Sequence, residues 1–249
     1  MNYKLEICTN SALSCLEAQK GGAYRVELCA AIPEGGTTPS YGEIVVAREL
    51  IDIKLNVIIR PRAGDFLYSE IEHKAMLEDI KMAKQLGADG VVFGVLTEDG
   101  DVDMVRNREL LDAAEGMDVT FHRAFDVTRD PLKSLEDIIE LGFKRILTSG
   151  QQNKAEDGLP LIKELVEKAG DRIIIMPGSG VTEDNIAHIA AVTGASELHL
   201  SARRPVKSKM KFKNKNVSMG GTNITINEFE QNVTNSERVK NTLDQLKSL

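Results

Sequence analysis

Eight short runs of aliphatic and β-branched residues, separated by longer stretches of helical spacing, leave this chain few ways to fold. The runs span residues 4–8, 24–28, 55–60, 90–93, 119–122, 145–148, 172–176 and 197–200. Between them, segments such as 11–19, 43–50, 69–86 and 132–141 repeat apolar residues at three- and four-residue intervals. Strictly alternating strand and helix builds a parallel sheet covered by helices. Gly22, Gly87, Gly142, Gly170 and Gly194 each stand a few residues before a run, where a left-handed cap would end the preceding helix. Eight such units in 249 residues match the length of a closed barrel. An open doubly wound sheet is the other arrangement, but no GxGxxG follows the first run, which removes the main argument for a dinucleotide fold. The expectation is an α/β protein, a single parallel (β/α)8 TIM barrel over residues 1–249. Residues 202–234 read as a long loop before a final helix at 236–246. In that loop Lys207, Lys209, Lys211, Lys213 and Lys215 alternate with other residues, followed by Gly220-Gly221, and the lysines read as a solvated face.

Composition narrows the function. With 42% hydrophobic and 28% charged residues the chain has the makings of an ordinary packed core. A net charge of −7 opposes a nucleic-acid partner, which would call for a basic face. The start lacks the apolar stretch of an export signal, and no run approaches the length of a membrane span, so a cytoplasmic protein with no membrane partner is expected. Three cysteines, an odd number, then read as reduced thiols. A homo-oligomer, first of all a dimer, is the expected assembly.

Chemistry is sought inside the barrel, because lumens of this type are usually filled by Val, Ile and Leu. Two runs repeat one phrase with a charge in it, Leu5-Glu6-Ile7-Cys8 and Val26-Glu27-Leu28-Cys29. If their aliphatic residues face the helices, Glu6 and Glu27 face the lumen, with Cys8 and Cys29 one step nearer the C-terminal rim. The same alternation turns Arg60, Thr120, His122, Glu197 and His199 inward. Buried carboxylates require partners. Either Arg60 and the histidines neutralise Glu6, Glu27 and Glu197 in a closed network, or the set forms a ligand pocket. Proximity to the strand ends, where barrel enzymes keep their sites, favours the pocket.

Arg62, Asp65, Arg123 and Asp126 add a rim that suits either an anion or a salt-bridge network. Pro177-Gly178-Ser179-Gly180 after the seventh run, and Ser201-Ala202-Arg203 after the eighth, stand where barrels often hold phosphate. His73 and His188 fall in helical patterns and read as surface residues. Cys15, in the first helix, reads as a small buried hydrophobe. Cys8 and Cys29 are the better pair, since adjacent strands would bring together two thiolates, which select soft ions.

These motifs resemble the copper homeostasis protein CutC family. The resemblance runs through residues 5–29, Gly35-Gly36-Thr37-Thr38-Pro39-Ser40, 57–68 around Arg60-Pro61-Arg62, and 87–103. It continues through 119–126 with His122-Arg123-Ala124-Phe125-Asp126, 145–150 with Leu147-Thr148-Ser149-Gly150, 176–181 and 197–202. It implies a cytoplasmic parallel barrel that handles copper and binds Cu(I) through Cys8 and Cys29, with Cys15 a weaker third. The polar lumen supports an alternative: a barrel enzyme of lyase, isomerase or hydrolase type acting on a small anionic or phosphorylated metabolite. Its catalytic candidates are Glu6, Glu27, Arg60, His122, Glu197 and His199. Its anion-binding candidates are Arg62, Arg123, Gly178, Ser179, Gly180, Ser201 and Arg203.

Overall fold

A computed structural model describes residues 3–214, 216–217, 227–247 and 249. Eight parallel strands form its centre: β1 (Lys4–Thr9), β2 (Arg25–Leu28), β3 (Lys54–Ile58), β4 (Gly90–Phe93), β5 (Asp118–Phe121), β6 (Arg145–Thr148), β7 (Ile174–Pro177) and β8 (Glu197–Leu200). They pair in the order β7-β6-β5-β4-β3-β2-β1-β8. Because β8 also lies beside β7, the sheet curls into a nearly closed barrel. Outside it run α1 (Ala12–Lys20), α2 (Tyr41–Leu50), α3 (Glu70–Gln85), α4 (Met104–Ala113), α5 (Pro131–Leu141), α6 (Leu159–Ala169), α7 (Ile186–Thr193) and α8 (Ser236–Lys247). Each of the eight runs read from sequence is a strand, with ends moved by a residue or two.

Local signals set the helix ends. Ser69 and Glu72 form a capping box at α3: the Glu72 amide donates to Ser69 Oγ at 3.3 Å, and the Ser69 amide donates to Glu72 Oε2 at 2.7 Å. At the end of α5, Gly142 takes φ 91°, a left-handed cap that a Cβ would strain. Gly22, Gly87, Gly170 and Gly194 also have positive φ. Among the described residues no helix is long and apolar enough to cross a membrane.

Alternation along the strands separates two interiors. Leu5, Ile7, Val26, Leu28, Leu55, Val57, Val91 and Phe93 share one parity and pack into the main core with the helices. Residues of the other parity face the lumen, where apolar Ile58, Val92, Leu147 and Met176 are buried alongside Glu6, Glu27, Thr120, Glu197 and His199.

Two expectations are corrected. The ends of the segment read as a loop, 202–234, pair as an antiparallel ribbon of β9 (Arg203–Lys207) and β10 (Glu230–Thr234). Alternation of Lys with other residues is a strand pattern as well as a solvated one, and its partner lies too far along the chain for local reading. Lys207, Lys209, Lys211 and Lys213 are exposed, whereas Lys215 and Gly220-Gly221 lie outside the described residues. His73 is not a surface residue. It is buried on α3, and its Nε2 contacts Glu109 Oε2 at 2.7 Å; His188 is exposed.

Candidate active site and metal-binding pocket

Strand register assembles the polar lumen. Glu6 on β1 stands beside Arg25 on β2 and His199 on β8, and one step toward the rim Cys8 stands beside Glu27. The Arg25 guanidinium donates to Glu6 and, at 2.7 Å, to Glu197 Oε2. Arg145 donates to the same Glu197 oxygen at 3.2 Å and to Thr120 Oγ1 at 3.2 Å. Arg25 and Arg145 therefore neutralise the floor of the lumen. The closed-network alternative read from sequence gave that work to Arg60 and the histidines; His199 does pair with Glu6, but Arg25 and Arg145 were passed over, although each is in phase with lumen residues of its own strand. Burial opposes the charge on Glu6, but Arg25 and His199 overcome it and hold the carboxyl well below its usual range. Glu197 is likewise lowered, against burial, by Arg25 and Arg145.

Arg60 has other partners. Past the end of β3 it donates to backbone carbonyls, Glu34 at 3.1 Å, Gly36 at 2.7 Å and Gly64 at 2.9 Å, and it lies over the Phe66 ring. It ties the loops after β2 and β3 together and borders the cavity.

Above the floor, the groups at the mouth have their acidities moved away from ordinary values. Cys8 Sγ and Cys29 Sγ are 3.9 Å apart. The contact with Cys29, reinforced by His199 and Arg203 against the effect of burial, pulls the Cys8 thiol well below its ordinary pKa. The same contact, together with burial, pushes Cys29 well up. His199 donates from Nδ1 to Glu6 Oε1 at 2.7 Å and presents Nε2 to Glu27 Oε2 at 3.7 Å. Although burial disfavours its charge, contacts with Cys8, Glu6 and Glu27 raise it to about 10. Glu27 has no arginine beside it, so burial, with Cys8 and Glu6 nearby, raises its carboxyl to about 8 even against the pull of His199. A protonated Glu27 beside an ionised Glu6 divides the two carboxylates between acid and charge-stabilising roles.

These groups line a cavity of about 750 Å³ at the C-terminal mouth. His122, Arg123, Ser179, Gly180, Ser201 and Arg203 also border it. The Ala124 amide donates to His122 Nδ1 at 3.3 Å, which leaves the proton on Nε2. Burial and the Arg60 charge lower His122 to about 3, so it is a neutral hydrogen-bond donor rather than a base. Its Nε2 is buried without a partner, as are Nε of Arg60 and Nε of Arg203.

The other candidates are held elsewhere. Arg123 is engaged in the rim network, with Nε at 2.7 Å from Asp126 Oδ2 and Nη2 at 2.8 Å from Ser149 Oγ. Arg62 donates to Glu72 Oε1 at 2.5 Å and to Asp65 Oδ1 at 3.0 Å, and it does not border the cavity. Gly178 is a close-packing position, where a Cβ would stand 2.5 Å from Leu147 Cδ1. Cys15 is buried on α1 with its sulfur 3.2 Å from Thr9 Oγ1; burial pushes it up to about 12, and it does not border the cavity. Arg238 of α8 reaches the cavity and forms a bidentate pair with Glu183 at 2.8 and 2.7 Å. It lies beyond the barrel units, so strand parity gave no signal for it.

Fold and site together define a parallel (β/α)8 barrel whose C-terminal mouth combines two thiols with a carboxylate–histidine cluster. Residues 3–204 match the CutC family, and the chain belongs to it. It is 61% identical over 247 residues to a CutC family protein of Bacteroides thetaiotaomicron, an alignment covering 99% of each chain. The human copper homeostasis protein cutC homolog is 47% identical over 238 residues, 96% of this chain and 87% of that one. Among solved structures, CutC from Streptococcus agalactiae superposes with a TM-score of 0.77 at 39% identity, covering 80% of this chain and 98% of that one. Thiamine phosphate pyrophosphorylase from Pyrococcus furiosus, at 14% identity and a TM-score of 0.59, shares the fold.

Proposed function

We propose that this copper homeostasis family member binds Cu(I) as its cargo through the thiolates of Cys8 and Cys29. The observation that carries this reading is the 3.9 Å separation of the two sulfurs at the barrel mouth, close enough for one ion to bridge. Thiolate donors suit Cu(I), whereas the oxygen-rich sites of Mg2+ and Ca2+ do not. Arg203 Nη2, 3.9 Å from Cys8 Sγ, favours the anionic sulfur that a metal requires. The name of the human relative, a copper homeostasis protein cutC homolog, agrees with this reading. Cys15 takes no part in this reading. We read the protein as cytoplasmic, where thiols stay reduced, and as a homo-oligomer, first of all a dimer.

Anaerobic Cu(I) titration against a competing chelator tests this directly. Tight binding by the wild type, lost in the Cys8→Ser/Cys29→Ser variant, is the expected result; equal binding by both removes the thiolate assignment. Light scattering at micromolar concentration tests the assembly.

The cavity supports a second reading, an enzyme acting on a small anionic or phosphorylated metabolite. Arg60, His122 and Arg203 border the cavity, and each carries a buried nitrogen donor without a partner. These donor-bearing side chains suit an anion, while a protonated Glu27 would supply a general acid. Inorganic phosphate or a small carboxylate should then raise the melting temperature of the wild type but not of His122→Leu. No shift with any member of a metabolite panel counts against an anionic substrate.

A further inference from the structure

A second group of metal-ligating side chains, of different chemistry, overlaps the thiol pair. Cys8 Sγ, a carboxylate oxygen of Glu27 and a ring nitrogen of His199 all lie within 4.8 Å of one another, and the His199–Glu27 edge is 3.7 Å. Zn2+ bonds of about 2.1 Å to nitrogen and oxygen and about 2.3 Å to sulfur make tetrahedral edges of roughly 3.4–3.6 Å for one sulfur, one nitrogen and one oxygen. The three groups therefore need to close by only a few tenths of an ångström to an ångström around such an ion.

We propose that Cys8, Glu27 and His199 form a three-ligand site for a borderline divalent cation, Zn2+ foremost, whose remaining coordination position opens into the cavity. Cys8 is shared with the two-thiolate reading for Cu(I), but Cys29 takes no part here and Glu27 and His199 take none there, so variants at those positions separate the two.

Four observations carry it. The donor set is one sulfur, one nitrogen and one oxygen, which suits a borderline ion better than a soft monovalent one or a hard oxygen-seeking one. A thiolate and a carboxylate together balance the charge of a divalent ion. The support behind His199 is already built. Its Nδ1 is 2.7 Å from Glu6 Oε1, Arg25 holds Glu6, and the other ring nitrogen is left facing Glu27. A carboxylate orienting the far nitrogen of a ligating histidine is the usual second layer of a zinc site. Finally, the ligands stand on three neighbouring strands, β8, β1 and β2, a rigid platform facing the cavity. Three protein ligands with an open fourth position distinguish a zinc site that does chemistry from one that only holds structure.

Co2+ is the probe, because a sulfur–cobalt bond gives near-ultraviolet charge-transfer absorption and four-coordination gives intense visible bands. Apo-protein, kept reduced and anaerobic, is titrated with Co2+ and then with Zn2+. Both bands should appear, saturate at equimolar metal and vanish as Zn2+ displaces the probe. Glu27→Gln and His199→Gln should lose them, and Glu6→Gln should weaken Co2+ binding by about 10- to 100-fold. Cys29→Ser should keep the cobalt spectrum while losing Cu(I) uptake, and Glu27→Gln should do the reverse. The inference is overturned if the wild type gives no charge-transfer band. A band lost in Cys29→Ser but kept in Glu27→Gln overturns it as well. Far-ultraviolet circular dichroism checks the fold of each variant, and the wild-type titration decides even if one fails to fold.

Discussion

Replacing Arg25 with methionine removes the one guanidinium that joins Glu6 to Glu197. Arg25 is 1% exposed, and its loss leaves Glu6 with His199 alone and Glu197 with Arg145 at 3.2 Å and Lys4 at 3.5 Å. Removing one partner of a buried pair costs about 3–5 kcal/mol, because a carboxylate stays in low dielectric without its counter-charge. In a chain of this size each kcal/mol lowers the melting temperature by about 2–4 °C, so a drop of about 10 °C is expected at pH 7. The loss should depend on pH in one direction. Glu6 in the folded wild type lies well below its ordinary value of 4.5, so it adds stability that is present above that value and lost as pH falls. Without Arg25 that depression largely disappears, so the gap between wild type and variant should hold at neutral pH and narrow as pH falls below about 4.5. Urea unfolding followed by circular dichroism, at several pH values, measures the difference directly. A loss below about 1 kcal/mol at pH 7, or one that does not shrink on acidification, would refute the assignment of Arg25 as the charge balance of the floor. The Arg25→Met/Glu6→Gln double variant should recover part of the loss, since it removes the stranded charge as well.

Glu27, raised to about 8, keeps a proton on folding that the unfolded chain releases near 4.5, so stability should fall as pH rises between those values. Glu27→Gln should remove that part of the slope and leave the part due to His199, which lies between 6.5 and about 10, as pH-dependent melting would show. Iodoacetamide at pH 6, read by mass spectrometry, should modify Cys8 first and leave Cys15 intact, because the Cys8 thiol is pulled down and Cys15 is pushed up to about 12; early labelling of Cys15 would contradict the site. Gly178→Ala brings a methyl within 2.5 Å of Leu147 Cδ1 and 3.3 Å of His199 Cβ, and should cost about 1–3 kcal/mol in chemical unfolding.

The order of strands and helices, the inward set Glu6, Glu27, Arg60, Thr120, His122, Glu197 and His199, and the adjacency of Cys8 and Cys29 could all be read along the chain. Each depends on a period of two or 3.6 that a local stretch already displays, and every member of the inward set is buried. Partnership was another matter. Arg25 and Arg145 share the phase of lumen residues, yet nothing local says that β1, β2, β6 and β8 converge on one Glu197; that follows only when the sheet closes and distant strands face each other across the lumen. Arg60 became a tie for loop carbonyls because the chain after β3 turns across the mouth. Arg62 was drawn away by Glu72 at the start of α3, and the β9–β10 ribbon formed between segments some two dozen residues apart. Alternation is a property of neighbours and is written in the sequence, whereas ion pairing and cavity shape are properties of residues that meet in space, which only the tertiary structure decides.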